Sequence, residues 1–272
     1  MNYVFIINPV AGKGGHSEEI AASIREFFSD REDNIHIYLS KAPGDAIRFG
    51  KEYPIPEGEE VCFVACGGDG TFYETVNGAF GRPGASFAIY PSGSGNDFIK
   101  TVGGKPEDYL DLQKLVDGKT KIFDALECNG HICSNICNIG LDSVIADRLT
   151  RYKKLPGVSG SMAYNLSTAI TVGGGLFHSL AMPMKITFDD GEVLEERCMF
   201  SVFGNGQVYG GGKLDARRQD QTLREQQRVV RNLTRFSTLL AQRCVLVEGG
   251  DYFSLIFLPN AFTMFLNQRT KL

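Results

Sequence analysis

The chain has 272 residues, which is enough for one or two domains with a sizeable core. Hydrophobic residues make up 43% and charged residues 22%, so the composition is that of a soluble globular protein and excludes a wholly disordered chain. The net charge of −4 shows no general basic excess and argues against a nucleic-acid partner. No run reaches the roughly 18 apolar residues of a transmembrane segment. We therefore expect a cytoplasmic protein with, at most, peripheral membrane contact.

Seven cysteines lie at positions 62, 66, 128, 133, 137, 198 and 244. Their number is odd and their spacing scattered, and no His/Cys arrangement completes a zinc pattern. Reduced, mostly buried thiols in a cytosolic protein are the favoured interpretation.

The first hundred residues alternate between short apolar runs and helical patterns. The apolar runs predict β-strands at residues 3–7, 35–39, 60–66 and 87–90. The intervening segments predict helices at 17–28, with Ser17 as the N-cap, at 43–53 and at 72–80. Strands that alternate with helices are typical of a parallel sheet with helices on both faces.

The pattern changes after about residue 124. Two strand pairs are predicted, 122–128 with 132–139 around a turn at Asn129-Gly130, and 184–188 with 193–203 around a turn at 189–191. A helix is predicted between the pairs, at about 159–172. The sequence thus predicts an α/β domain at 1–125, followed by a β-rich domain at 126–272.

Glycine-rich loops follow three of the predicted parallel strands. They read Asn-Pro-Val-Ala-Gly at 8–12, Gly-Gly-Asp-Gly-Thr at 67–71 and Ser-Gly-Ser-Gly-Asn-Asp at 92–97. Glycines let a backbone approach phosphates closely, and the N-terminus of a following helix favours anions. Because the carboxyl ends of parallel strands share one edge of a sheet, the three loops are expected to converge on one ligand. They match neither a Walker loop nor a Rossmann fingerprint.

Together these loops resemble the signature of the lipid kinase family that includes diacylglycerol kinases, sphingosine kinases and bacterial relatives. The signature continues with Glu74 and Asn77-Gly78 after the second loop, and with a Phe after the third. The resemblance extends over about residues 1–212, although the Gly-Gly-Asp-Gly loop alone is shared with NAD kinases. It implies an α/β nucleotide domain followed by a β-sandwich domain, with the active site in the cleft between them.

The resemblance implies Mg²⁺-dependent transfer of the γ-phosphoryl group of ATP to a lipid hydroxyl of the diacylglycerol kind at a membrane surface. Nucleotide binding then belongs to residues in the loops and nearby, namely Asn8, Gly12, Ser40, Gly67, Gly68, Asp69, Gly70, Thr71, Glu74, Gly93, Ser94, Gly95, Asn96 and Asp97. Lys13 and Lys100 are candidates for phosphate charge. Leu176, Phe177, Leu180 and Met182 either contact the lipid or pack in the core.

Four residues carry more specific expectations. Asp69 is the expected catalytic residue, and with Asp97 and Asp124 it should form an acidic network around Mg²⁺ and its waters. Because Asp69 lies in a loop shaped by glycines, Asp69→Asn is expected to abolish activity while leaving the fold intact. Glu74 is expected to order the Gly-Gly-Asp-Gly loop.

The match to the family fades after Gly212. The family's late acidic base and the segment that binds its structural Mg²⁺ have no clear counterpart, and Glu248 is the nearest acidic residue. A reading-frame error in the tail and a genuine loss of these groups both explain this. Two other functions therefore stay open, an NAD kinase-like small-molecule kinase and a catalytically inactive nucleotide- or lipid-binding relative. A homodimer is also left open.

Overall fold

The computed structural model describes residues 1–12, 14–152, 155, 158, 160–174, 182–188, 193–198, 200–206, 208–209, 212–213, 237–239, 245–248 and 252–266. The chain divides into two compact units. The first comprises Met1–Asn135, Gly206–Leu214 and Leu258–Leu272, and the second comprises Ile136–Asn205 and Asp215–Phe257. No helix in the described ranges is long and apolar enough to cross a membrane.

Strands and helices alternate through the first part of the chain. In chain order the elements are β1 (Asn2–Ile7), α1 (Ser17–Phe27), β2 (Asn34–Leu39), α2 (Asp45–Glu52), β3 (Val61–Gly67), α3 (Asp69–Ala79), β4 (Ala85–Pro91), α4 (Asp97–Val102), a 3₁₀ turn (Pro106–Tyr109), α5 (Leu112–Val116), β5 (Lys119–Cys128) and β6 (His131–Cys133). The predicted alternation is confirmed. The short helix α4, which follows the third glycine loop, was not predicted.

The later part contains more strands. Its elements are β7 (Ile136–Gly140), α6 (Leu141–Tyr152), α7 (Gly160–Gly174), β8 (Met182–Phe188), β9 (Val193–Cys198), β10 (Phe200–Gly204), β11 (Val208–Tyr209), β12 (Gly212–Lys213), β13 (Ser237–Leu239), β14 (Val245–Glu248) and β15 (Tyr252–Leu266). The turn at 189–191, most of the segment 214–244 and the side chains of the expected lipid contacts lie outside the described part.

A parallel sheet forms the centre of the first unit. Its order is β2-β1-β3-β4, all neighbours are parallel, and the end of β15 joins β4 with Met264 opposite Phe87. Alternate residues of these strands enter two buried clusters. One cluster contains Phe63 and side chains from α2, α3 and α4, and the other contains Phe5 and side chains from α1 and α5. Helices therefore cover both faces, as the alternating pattern predicted.

The N-terminus of α1 differs from the prediction. The carbonyl of His16 accepts the N–H of Ile20 at 3.0 Å, so the first helical hydrogen bond forms one residue before Ser17. His16 is therefore the capping position, without a side-chain cap, and Ser17 is already helical. The prediction of Ser17 as the N-cap is wrong.

The predicted hairpin turn at Asn129-Gly130 is confirmed. It joins β5 to β6, with Leu126 opposite Cys133. Asn129 and Gly130 have φ values of 50° and 78°, the left-handed pair that a two-residue hairpin turn requires. The predicted strand at 132–139, however, divides into β6 and β7.

Antiparallel strands dominate the second unit. β8 pairs with β9 and with β14, and β14 pairs with the first residues of β15. β10 pairs with β7 in a separate sheet, which explains why the predicted strand at 193–203 is also divided in two. The helices α6 and α7 pack against each other. The C-terminal region is thus rich in antiparallel strands, as the sequence predicted.

Candidate active site

Backbone hydrogen bonds place the three glycine loops side by side. The N–H of Asn8 donates to the carbonyl of Cys66 at 3.0 Å, and the N–H of Ser92 donates to the carbonyl of Gly67 at 3.0 Å. The parallel pairing of β1, β3 and β4 thus continues into the loops that follow these strands. The predicted convergence at the carboxyl edge of the sheet is present in the structure.

Glycine is required where these loops touch. A Cβ atom on Gly93 would lie 2.6 Å from the backbone nitrogen of Gly68, so the second and third loops meet backbone to backbone. Gly12 has a φ of +63°, and a Cβ atom there would overlap the carbonyl oxygen of Ser92. At both positions another loop's backbone approaches too closely for a side chain, which only glycine allows.

The Asp69 side chain is bound to the third loop. Its carboxylate accepts the N–H of Asp97 at 3.1 Å and the N–H of Phe98 at 3.0 Å. These are the first residues of α4, so Asp69 satisfies the N-terminus of a helix that lies almost thirty residues further along the chain. Asp69→Asn is therefore expected to lower stability as well as activity, because the carboxylate holds two loops together.

Asn96 precedes α4 in a left-handed conformation, with a φ of 53°. Its side-chain amide donates to the carbonyl of Gly93 at 2.8 Å, which tightens the third loop. The residue is buried, whereas Ser94 and Gly95 are exposed. The geometry therefore separates an inner residue that shapes the loop from outer residues that can meet a ligand.

The N-terminus of α3 is open at this edge of the sheet. Its capping residue, Gly68, has no side chain that could cap the helix, and Gly70 in the first turn is exposed with open space where a Cβ atom would lie. The first N–H groups of a helix have no partner within the helix and carry the positive end of its dipole. They can therefore bind phosphate oxygens.

A pocket of about 240 Å³ lies beside α3. It is lined by Asn8, Pro9, Val10, Ser40, Lys41, Ala42, Pro43, Ala46, Thr71 and Glu74. Four of these, Asn8, Ser40, Thr71 and Glu74, were predicted to bind nucleotide. Thr71 is itself buried, and its hydroxyl accepts from the Asn8 side-chain amide at 3.1 Å, so this pair forms part of the pocket wall.

Glu74 contacts a different loop from the predicted one. Its carboxylate accepts the N–H of Gly44 at 3.0 Å, in the segment that leads into α2. The structure thus shows Glu74 tying α3 to the α2 side of the pocket, rather than ordering the Gly-Gly-Asp-Gly loop. The expectation missed this because Gly44 is thirty residues away in the chain.

A charged cluster next to the pocket was also missed. The Tyr38 hydroxyl, the Lys41 N–H and the Arg48 guanidinium donate to the Asp45 carboxylate at 2.7, 2.9 and 2.6 Å. These hydrogen bonds lower the pKa of Asp45 to about 2. The spacing of Asp45 and Arg48, three residues apart at a helix start, was the available signal.

Asn77 is a second residue whose role was not foreseen. Its side chain donates to the carbonyl of Ile132 and accepts the N–H of the same residue, both at 2.8 Å. It thereby fastens α3 to β6. The following Gly78 lies against Gly50 of α2, where a Cβ atom on Gly50 would be 2.9 Å from the Gly78 Cα. The Asn-Gly element of the motif thus fixes the position of α3.

The remaining acidic candidates are spread over several elements. Asp97 forms an ion pair with Lys100 at 2.7 Å, and Asp124 is half-buried on β5. Glu248 ends β14, where its backbone is in register with Lys185 and Tyr252. Among the residues that the structure describes, no three His, Cys, Asp or Glu side chains form a group that could hold a metal ion directly. Lys13 lies outside these residues.

The prediction of mostly buried thiols holds for two of the five described cysteines. Cys62 and Cys66 are buried in β3, and burial raises the pKa of the Cys62 thiol to about 12. Cys128, Cys133 and Cys137 are partly exposed, which differs from the prediction. The first two cysteines are therefore core residues beneath the site.

Comparison with known proteins extends these observations. A candidate lipid kinase of Staphylococcus carnosus (strain TM300) is 25% identical over 221 residues, which cover 78% of this chain and 67% of that protein. One of Staphylococcus epidermidis (strain ATCC 12228) is 28% identical over 188 residues, which cover 66% of this chain and 58% of that protein. The chain thus matches between 58% and 67% of the length of these two relatives.

Solved structures share the fold. A candidate diacylglycerol kinase from Bacillus anthracis (strain Sterne) has a TM-score of 0.66 at 22% identity, with 99% of this chain and 98% of that chain covered. A second structure, of a diacylglycerol kinase from the same organism, has a TM-score of 0.66 at 23% identity. The match covers 98% of this chain and 97% of that chain. The family model of the diacylglycerol kinase catalytic domain matches residues 2–128, which contain all three glycine loops. Over this α/β part, the chain is thus similar to the catalytic domain of diacylglycerol kinases.

Proposed function

We propose that the protein is an ATP- and Mg²⁺-dependent lipid kinase that phosphorylates a lipid hydroxyl of the diacylglycerol type. The observation that carries this proposal is the convergence of three glycine loops around the N-terminus of α3, within the residues that match the diacylglycerol kinase catalytic domain. Kinases of this chemistry need positioning and charge stabilisation more than covalent participation by the protein. The site offers backbone N–H groups for both purposes.

Two groups of residues fit the two parts of a nucleotide, its phosphates and its nucleoside. The first turn of α3 and the exposed Ser94 offer donors to phosphate oxygens. The adjoining pocket, with Asn8, Ser40 and Glu74 in its wall, offers polar groups to the nucleoside. When bound, ATP supplies the phosphoryl group, and the chain holds it and excludes water around it.

The acidic residues fit Mg²⁺ held largely through water and phosphate. Mg²⁺ is usually bound by one or two carboxylates together with substrate phosphates, rather than by a complete protein cage. Asp97 and Asp124 are our proposed carboxylates, and Asp69 contributes by fixing the start of the helix that carries Asp97. The base that accepts the hydroxyl proton stays a prediction, with Glu248 as its candidate from the sequence.

Phosphorylation with radiolabelled ATP in mixed detergent micelles tests the proposal. The micelles carry diacylglycerol, a sphingoid base, phosphatidylglycerol or undecaprenol, and each is assayed with and without Mg²⁺. Labelled lipid that forms only with Mg²⁺ is the expected result. NAD and a small polyol are offered as alternative acceptors in parallel assays. Transfer of the label to either of them would assign the chain to a small-molecule kinase instead. Bound ATP without any product would identify an inactive relative.

A further inference from the structure

The helix α4 is too short to hold its position by itself. It has six residues, whereas isolated helices of fewer than about 12 residues are marginal in water. Its residues Phe98, Ile99 and Val102 are buried in the cluster on one face of the sheet. Apolar burial has no directional preference, so it fixes the depth of the helix better than its rotation. Directional hydrogen bonds are needed to fix the rest.

Hydrogen bonds hold α4 at both of its ends. At the first turn, the Asp69 carboxylate accepts two backbone N–H groups. At the last turn, the Thr101 hydroxyl donates to the side-chain oxygen of Asn135 at 3.2 Å. The Tyr109 hydroxyl donates to the carbonyl of Gly103, which directly follows the helix, also at 3.2 Å. Both ends of α4 are therefore tied to residues outside the helix.

The contact at Asn135 is completed by a glycine. The N–H of Gly206 donates to the Asn135 carbonyl at 2.8 Å. A Cβ atom on Gly206 would overlap the Asn135 side-chain oxygen and lie 2.8 Å from the hydroxyl oxygen of Thr101. Only a residue without a side chain leaves room for the hydrogen bond between Thr101 and Asn135. We call these three residues the α4 anchor.

The α4 anchor lies where the chain leaves and re-enters the first unit. Asn135 is the last residue of that unit before the second unit begins, and Gly206 is the first residue after the chain returns. The strand β11, which follows Gly206, packs against α4. The anchor therefore joins three segments of the first unit that are far apart in the sequence.

The α4 anchor is placed to control the position of Asp97. Thr101 lies four residues after Asp97, so the two side chains are on the same side of the helix, one turn apart. Six residues form a helix of about 9 Å, in which a shift of the last turn also moves the first. Groups that hold a metal must lie within about 0.5 Å of their productive position. Loss of the anchor should therefore disturb a metal held by Asp97.

We propose that Thr101, Asn135 and Gly206 are positioning residues, which hold the last turn of α4 and thereby set Asp97 for Mg²⁺. The proposal rests on the proposed function, in which Asp97 is one of the carboxylates that hold Mg²⁺ together with the phosphates of ATP. The three residues act through the helix, at the end opposite to Asp69.

Substitution of Thr101 tests the anchor with little change of shape. Thr101→Val removes the hydroxyl and keeps a β-branched side chain, whereas Thr101→Ser keeps the hydroxyl. Ser86→Ala is the matched control, because it removes a buried hydroxyl that donates to the carbonyl of Val61 at 3.3 Å. Ser86 is near the start of β4, at the edge of the sheet opposite to the glycine loops.

The dependence of lipid phosphorylation on Mg²⁺ concentration is the first measurement. Thr101→Val is expected to raise the Mg²⁺ concentration for half-maximal rate about three- to tenfold, as for one lost hydrogen bond. Thr101→Ser and Ser86→Ala should stay close to wild type. A merely structural role would reduce the amount of folded protein without changing its Mg²⁺ dependence. The same Mg²⁺ dependence in Thr101→Val and wild type would overturn the proposal.

Amide hydrogen exchange without ligand gives a measurement that does not need activity. Peptides that contain α4 are expected to exchange faster in Thr101→Val than in wild type, because the helix opens locally more often. Gly206→Ala should have the same effect, since its methyl group displaces the Asn135 side chain. Ser86→Ala should leave the exchange of α4 unchanged. Wild-type exchange of α4 in both Thr101→Val and Gly206→Ala would show that the anchor does not hold the helix.

The outcomes separate this proposal from the proposed function. Phosphorylation by the wild type with an unaltered Mg²⁺ dependence in Thr101→Val would refute the positioning role and leave the kinase assignment standing. If the wild type forms no labelled lipid, calorimetric titration with ATP, with and without Mg²⁺, takes the place of the kinetic assay. Weaker Mg²⁺-dependent ATP binding by Thr101→Val would then support the anchor in a protein that is not a kinase, and equal binding would overturn it.

Discussion

The Asp69 side chain has a structural role at the start of α4 and a proposed role in phosphoryl transfer. Asp69→Asn replaces a carboxylate oxygen by an amide that cannot accept one of the two N–H groups of α4. We expect the free energy of unfolding to fall by about 1–2 kcal/mol, the usual cost of a lost helix cap. We also expect lipid phosphorylation to be lost.

Urea unfolding and the micelle assay measure these two effects. Asp30→Asn is the control for stability, because Asp30 is exposed just after α1 and lies outside the proposed site. Wild-type stability in Asp69→Asn would show that the carboxylate does not support α4.

Asp45 gives a prediction about pH. Its folded pKa of about 2 lies below the value of about 3.9 for an unfolded chain. The ionised carboxylate therefore contributes stability above about pH 4, and this contribution is lost as the pH falls toward 2. Asp45→Asn should lower the melting temperature at pH 7, and the difference from wild type should narrow below pH 4.

Thermal unfolding at a series of pH values checks this prediction. Glu52→Gln is the matched control, since Glu52 pairs with the same Arg48 at 2.7 Å but is well exposed. Its melting temperature should stay close to wild type at every pH. A difference for Asp45→Asn that is constant from pH 7 to 3 would argue against the carboxylate as the cause.

The sequence identified residues of the site better than it identified their contacts. The motif at 67–71 was sufficient to place a glycine loop at the carboxyl edge of the sheet, because the glycines and the strand before them act locally. The partners of Asp69 and Glu74 could not be predicted, since Phe98 and Gly44 meet them only after the sheet has formed. The identity of the base and the metal ligands stays a prediction.

At the scale of elements, the loops contain two kinds of glycine. Some are needed for the fold, and others are expected to be needed for binding. Gly93→Ala would push a methyl group into the Gly68 backbone, and we expect a loss of about 1–3 kcal/mol from overpacking. Gly70→Ala meets nothing within 4 Å and lies in the first turn of α3, so stability should be unchanged or slightly higher. It should nevertheless weaken nucleotide binding by covering the helix N-terminus.

Chemical denaturation and nucleotide titration together distinguish the two variants. The expected pattern is an unstable Gly93→Ala protein and a stable Gly70→Ala protein with reduced affinity for ATP. Full ATP affinity in Gly70→Ala would remove the N-terminus of α3 from the phosphate site.

Elements with a strong local pattern were predicted well, and short ones were not. The four parallel strands are mainly apolar and bounded by turns, so their limits agree with the prediction within a few residues. The helix α4 has six residues and depends on Asp69 for its N-terminus, which no local pattern reveals. The division of 132–139 into β6 and β7 follows from pairing with distant strands.

At the scale of the whole molecule, the site should respond to ligand by raising stability. A ligand that binds only the folded chain stabilises it by about 2.7 kcal/mol at one hundred times its dissociation constant. ATP with Mg²⁺ should therefore raise the melting temperature, and Gly70→Ala should respond less at the same concentration. A larger shift with NAD than with ATP would favour the small-molecule kinase.

The predicted division at residue 125 and the observed units follow different principles. The composition of this sequence changes once, near residue 125. The first unit, however, also includes Gly206–Leu214 and Leu258–Leu272, which come after the start of the second unit in the chain. Such a return cannot be read from local patterns, because it depends on strand pairs such as Met264 with Phe87. The domain limits and the origin of the divergent tail therefore stay predictions.

The contact between Gly68 and Gly93 has a consequence for the order of events in folding. The second and third loops touch backbone to backbone, so each depends on the other for its shape. The strands that precede them are parallel, and parallel strands can pair only after the long crossover connection between them has formed. Nucleotide affinity is then a property of the assembled sheet and not of any fragment of it. During refolding, the return of ATP binding should mark the completion of this unit, later than the return of helical signal.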